Sequence, residues 1–177
     1  MKMFRFSCNA NSNDTEEFDV EEYITNLVNK ELPPKKYNLN IRPNFGKEPV
    51  LITISLNIND ISDVSEQSMD FQIEFSIRHY WNDHRLKFDV KHNISEISVE
   101  ESFAHKLWLP DTFFGDSKQL KVHKTVFTDD TTLLRLHSNG DIVYSTKVSM
   151  KASCSMDLRY FPVDQQKCSL DFGSCKW

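Results

Sequence analysis

The sequence predicts an antiparallel all-β sandwich with one N-terminal α-helix. Three observations predict it: apolar residues recur at every second position in two long runs, an Asn-Gly pair joins two further strand-like runs, and helical spacing occurs once, near the start. Short alternating strands divided by turns suit two packed antiparallel sheets. They do not suit a parallel sheet, which needs a helix between successive strands.

The helix comes first. Residues 15–30, TEEFDVEEYITNLVNK, set Val20, Tyr23, Ile24, Leu27 and Val28 at helical spacing, with acidic residues in the first turn where the helix dipole favours them. Pro33 and Pro34 end it, and everything afterwards is predicted as strand. From Val50, the apolar set Val50, Ile52, Ile54, Leu56 and Ile58 alternates with Leu51, Thr53, Ser55, Asn57 and Asn59, a strand with one wet face. The next run turns Met69, Phe71, Ile73, Phe75 and Ile77 one way and Asp70, Gln72, Glu74, Ser76 and Arg78 the other, so Arg78 is assigned to the outward face. TTLLRLH and DIVYSTKVSM flank Ser138-Asn139-Gly140-Asp141, which predicts a hairpin with positive φ at both Asn139 and Gly140. Internal repeats and low-complexity segments are absent from the sequence.

The 177 residues are 39% hydrophobic and 27% charged, a composition that suits one globular domain with a core. A net charge of -5 and a pI near 5.7 argue against nucleic acid, whose phosphates need a basic field. The N-terminus shows no signal-peptide pattern, and no run of apolar residues is long enough to span a membrane. Two sequons, Asn13-Asp14-Thr15 and Asn93-Ile94-Ser95, and an even cysteine count nevertheless point to the secretory pathway, with Asn13 and Asn93 as expected glycosylation sites. The six histidines include no His-x3-His pair and no Cys-x2-Cys partner, so no metal site is expected, and His79 and His84 read as surface groups near a turn. With no Gly-x-Ser-x-Gly, phosphate loop or dinucleotide fingerprint, and four glycines in all, catalysis and cofactors are not expected.

Cys154 and Cys168 enclose CSMDLRYFPVDQQKC. The spacing lets a strand leave, turn and return, so the pair reads either as a disulfide staple or as two unrelated buried thiols. A loop of about fifteen residues closed this way gains about 3 kcal/mol in the chain-entropy account.

Two cysteines with thirteen residues between them and an internal Phe161-Pro162-Val163-Asp164 resemble the signature loop of Cys-loop pentameric ligand-gated ion channels. WNDHRL (Trp81, Asp83, Arg85, Leu86), WLPDTFF (Trp108, Pro110, Asp111) and RPNFG (Arg42 to Gly46) resemble further stretches of that family, and CSMDLRYFP and PDTFF resemble its anion branch, the γ-aminobutyric acid type-A and glycine receptor subunits. The resemblance implies an immunoglobulin-like extracellular sandwich beneath an N-terminal helix, five homologous subunits round a pore, a disulfide between Cys154 and Cys168, and a small amino-acid transmitter (γ-aminobutyrate, glycine or glutamate) between neighbours. It implies a plasma-membrane subunit with its extracellular face at the synapse, held by a transmembrane domain this chain lacks. It assigns residues 1–14 to a disordered N-terminal segment and 15–177 to a ligand-binding domain incomplete at its C-terminus, expected to be poorly stable alone because unpaired strand edges invite aggregation. The loop bearing Phe161, Pro162 and Asp164 would press on the membrane domain during gating, and an aromatic-proline bond there suits cis geometry.

By the same resemblance, Arg78, Arg135 and Ser145 match the family's carboxylate-binding arginines and hydroxyl, and Phe113 matches an aromatic of the opposite face. The division is physical, since arginine and hydroxyl donors hold a carboxylate while ring quadrupoles hold an ammonium. The rival readings are solvated surface charges for the arginines and a core aromatic for Phe113. Departures are Ser76, where the family carries an aromatic two residues before the arginine, and Cys175, at the principal face's aromatic position. Cys175 is open as a free thiol, a partner for Cys8, or an error in the gene model. The expected function is the transmitter-binding part of a chloride-type channel subunit; the alternatives are a secreted transmitter-binding protein of the same fold and a non-binding partner subunit.

Overall fold

A computed structural model of the chain describes residues 19–90, 93–123 and 132–174. Asn13, Cys8, Cys175, Trp177 and residues 15–18 of the expected helix lie outside them.

The helix α1 runs Val20–Asn26 and continues as a π-helical turn, Leu27–Glu31. Asp19 caps it by accepting from the amides of Glu21 and Glu22, which satisfies donors that no helical carbonyl can reach. The Leu32–Pro33 bond that follows is cis. Helical content does not end there, as had been expected. Residues His84–Leu86 make a 3-10 turn, and one turn of helix, α2 at Glu101–Ala104, buries Phe103 and Ala104.

Eight strands follow the prediction of an antiparallel all-β fold. They are β1 Thr53–Ser65, β2 Asp70–Asn82, β3 Glu96–Val99, β4 Thr112–Phe114, β5 Ser117–Val122, β6 Leu133–His137, β7 Asp141–Ser153 and β8 Phe172–Ser174. Six form one sheet in the order β1-β2-β7-β6-β3, with β5 also paired to β7, and β4 pairs with β8 in a second. All pairings are antiparallel.

β2 follows its sequence pattern from Phe71 onward, with Phe71, Ile73, Phe75 and Ile77 buried and Arg78 exposed, whereas Met69, expected inward, is exposed and Asp70, expected outward, is buried. Edge strand β1 departs from the expectation of one dry face, since Leu56, Ile58 and Ile61 are exposed although they lie opposite Ile77, Phe75 and Ile73. Alternation decides which side a residue takes, but not whether anything covers that side. A β-bulge between Ile58 and Asp60 also shifts the alternation, bringing Ile61 rather than Asp60 to the inward side.

The hairpin between β6 and β7 forms, but its turn is not the one expected. Gly140 alone has positive φ, +87°, and Asn139 does not. Three residues, Ser138 to Gly140, link the strands, and the Gly140 amide donates to the His137 carbonyl at 2.9 Å. A three-residue loop asks for only one left-handed residue, at its last position. Glycine is required there twice over, because an added Cβ would stand 2.7 Å from the Asp83 carbonyl oxygen.

The core has two parts. One gathers Leu27, Trp81, Leu86, Phe103, Trp108, Leu134, Leu136 and Ile142, with the Trp81 and Trp108 rings edge to face at 6.4 Å. The other gathers Phe71, Phe75, Val148, Met150, Ala152, Cys154 and Met156, with Phe114 packed against Phe75.

Candidate functional site

Strand register brings three of the expected site residues to one face. Arg78 on β2 lies directly opposite Ser145 on β7, and on its other side opposite Ser55 on β1. Residues opposed in an antiparallel pair project from the same face, so the arginine stands in a row of hydroxyls. Among the described residues the Arg78 guanidinium has no hydrogen-bond or ion-pair partner.

Arg135 is on the same face but one step removed. It lies opposite Val143, diagonal to Ser145, and its Nη1 is 3.1 Å from Glu96 Oε1 on β3. Both side chains of that ion pair are well exposed, so it contributes little and exchanges readily for another carboxylate. The structure therefore sets Arg78 beside Ser145 and engages Arg135 elsewhere. Ser76, two residues before Arg78, accepts at 3.3 Å from Asn59 Nδ2 and presents no ring to this face. A cleft of about 520 Å³ lined by Leu51, Thr53, Tyr80, His137 and Val143 continues the face beyond Arg78.

Phe113 lies on the second sheet, opposite Gly173 on β8. It is exposed, so the core reading of its ring does not hold. A Cβ at Gly173 would stand 3.3 Å from Phe113 Cζ, so the glycine makes room for the ring. Arg78 and Phe113 thus belong to different sheets of the sandwich.

Cys154 and Cys168 are joined by a disulfide, with Cα atoms 5.4 Å apart. The loop they close contains a cis Phe161–Pro162 bond and exposes Tyr160, Phe161 and Val163, the last at 87%. Gln166 organises it from within: Oε1 accepts from the Asp157 amide at 2.9 Å, and Nε2 donates to the Asp157 carbonyl at 2.9 Å and to Asp164. The Asp157 carboxyl, hydrogen-bonded to Arg159, is held below its usual range. Sequence reasoning did not single out Gln166, since nothing in the chain's periodicity marks it.

Two polar knots were also missed. Asp83, fully buried, accepts from the Arg85 amide and guanidinium and from Tyr37 Oη, and Tyr37 Oη in turn accepts from the Trp108 amide. Burial raises the Tyr37 phenol. At the far end of β2, buried Asp70 receives Ser68 Oγ at 2.7 Å, Lys118 Nζ at 2.8 Å and Lys151 Nζ at 3.3 Å, which hold its pKa down at about 2.

His79 is a correction. It was read as a surface group, but it is buried at 7% exposure on the inward side of β2, where its place between Ile77 and Trp81 puts it by alternation. His84 is exposed, as expected. Asn93 is exposed in a turn ahead of β3, with φ +63°. Among the described residues no three His, Cys, Asp or Glu side chains gather as a metal site, and no helix is long and apolar enough to cross a membrane.

The fold and the candidate site define a two-sheet antiparallel β-sandwich with a disulfide-closed loop and an outward arginine between strand hydroxyls. The chain belongs to the family described as neurotransmitter-gated ion-channel ligand binding domain, which matches residues 13–177. It is 38% identical over 138 residues to the gamma-aminobutyric acid receptor subunit rho-3 of Rattus norvegicus, covering 78% of this chain and 29% of that protein. It is 35% identical over 169 residues to the gamma-aminobutyric acid receptor subunit beta-4 of Gallus gallus, covering 95% of this chain and 33% of that one. The chain spans about a third of the length of these relatives.

Proposed function

We propose that residues 15–177 form the extracellular transmitter-binding part of a chloride-type ligand-gated channel subunit, at the synaptic face of the plasma membrane, within a pentamer of homologous subunits. The ligand is a small amino acid, with γ-aminobutyrate favoured over glycine and glutamate by the names of the relatives. Arg78 holds its carboxylate with Ser145, Arg135 joins by releasing Glu96, and Phe113 of a neighbouring subunit faces the ammonium. Binding favours one arrangement of the sandwich, and the loop of Phe161, Pro162 and Asp164 carries that preference to the pore. Asn13 and Asn93 carry glycans in this reading.

The observation that supports it best is the Arg78 guanidinium, exposed, opposite Ser145 and without a partner among the described residues. The test is γ-aminobutyrate binding and current in cells expressing the whole subunit. Arg78→Ala should weaken apparent affinity about 10- to 100-fold, hydrogen bonds to charged groups being worth about 1.5–3 kcal/mol. Ser76 and the Arg135–Glu96 pair favour one second reading, a partner subunit that does not itself bind transmitter on this face. In that case Arg78→Ala leaves the affinity of a mixed receptor unchanged.

A further inference from the structure

The two sheets that carry Arg78 and Phe113 are joined by a histidine. His79 follows Arg78 on β2 but points into the sandwich, and its Nε2 lies 2.8 Å from Thr112 Oγ1. Thr112 opens β4, immediately before Phe113, and is paired with Ser174 on β8. The other ring nitrogen, Nδ1, is buried and has no hydrogen-bond partner among the described residues.

This geometry suits one protonation state. A neutral ring donates from Nε2 to the threonine hydroxyl and leaves only a lone pair at Nδ1. The imidazolium adds an N–H at Nδ1 that finds no acceptor, and a buried charged donor left unpaired is costly. The neighbouring elements do not compensate. β1 sets Ile54 opposite His79, β7 sets Tyr144 opposite it, and the acid just ahead of β4, Asp111, accepts from the Ser174 hydroxyl. On β2 itself Arg78 and Tyr80 project from the opposite face.

We propose that His79 is a positioning residue that clips β4 to β2 while its ring is neutral, so that the clip fixes the strand presenting Phe113 to a neighbouring subunit's site and acid opens it. The ligand-binding half of this statement rests on the function proposed above; the clip itself does not. Burial lowers the pKa of His79 from its ordinary 6.5. The unfolded chain therefore takes up the proton first as pH falls. Stability from the clip is complete above about pH 6.5 and is lost as the pH drops from there towards the folded value.

The experiment follows two readouts from pH 7.5 to 5.5 in the whole subunit: the thermal midpoint and γ-aminobutyrate affinity. Wild type should lose about 2–4 °C and bind about tenfold more weakly at the acid end. His79→Gln, whose amide nitrogen can still reach Thr112 but cannot be protonated, should keep binding and flatten both profiles. Thr112→Val should melt lower at pH 7.5 and lose most of the His79-dependent pH response. A His79→Gln protein whose midpoint still falls with acid as the wild type's does would overturn the clip, whatever the binding shows. Flattened melting with an unchanged pH dependence of affinity would overturn the positioning of Phe113. No γ-aminobutyrate binding at any pH, with melting still flattened in His79→Gln, would remove the ligand site and leave the clip supported.

Discussion

The two ends of the sandwich are built on different principles. Round Trp81 and Trp108, apolar residues are covered by α1, α2 and the long loop before β1, and the buried carboxylate there, Asp83, is met by four side-chain and backbone donors. Round Phe75 and Met150 the core is thinner at its margins: β1 leaves Ile58 and Ile61 in solvent, and the disulfide loop presents Tyr160, Phe161 and Val163 outward. The first end is held by apolar packing under covering elements and by the hydrogen-bonded Asp83. The second is held by a covalent bond and by the Asp70 ion pairs, which tie strands together without covering them. An end closed over its apolar residues serves as a frame; an end that holds its shape while leaving apolar surface bare is equipped to meet something else.

Three substitutions sharpen that contrast. The largest effect should come from Asp83→Ala, which removes the charge partner of Arg85 and the acceptor of the Tyr37 hydroxyl in the covered end. Removing one partner of a buried pair costs about 3–5 kcal/mol, read as a fall in the denaturant midpoint. The covered end is not the frame described here if that midpoint hardly moves. Next, replacing both Cys154 and Cys168 by serine should cost about 3 kcal/mol, with wild type under reducing conditions matching the variant. A variant as stable as the oxidised protein would mean the second end is held by packing after all. The smallest effect belongs to Val163→Ser, which should change stability by no more than about 0.5 kcal/mol because the side chain is already in water. A large loss there would show that the loop's apolar tip is covered in the folded chain.

Much of this was readable along the chain, and what was not has identifiable causes. Alternation in β2 put Arg78 outward, and the same alternation puts His79 inward; it was misread because nearness to a turn was given more weight than parity. The Asn139-Gly140 hairpin was legible as a turn but not as a three-residue one, since loop length depends on where the β6–β7 register closes. Ile58 was legible as inward-directed, whereas Ile61 reaches that side only through the bulge; cover, in either case, is a property of neighbouring elements and not of a strand's own pattern. The Tyr37–Asp83–Trp108 knot joins residues far apart in sequence, so no local motif announces it. At the candidate site, parity put Arg78 outward and the family resemblance supplied Arg135 and Ser145, whereas the engagement of Arg135 by Glu96 depends on β3 lying beside β6.

One strand has an unusual position in this arrangement. β7 begins beside the glycine wedged against Asp83, passes Ser145 opposite Arg78, and ends next to Cys154, paired with β2 over its whole thirteen residues and shared on its other edge between β6 and β5. It is therefore a splinted rod about 40 Å long with no joint along it. A small tilt imposed where the ligand is proposed to sit would be delivered at the crosslinked tip as a larger sideways sweep, as the short arm of a lever moves the long one.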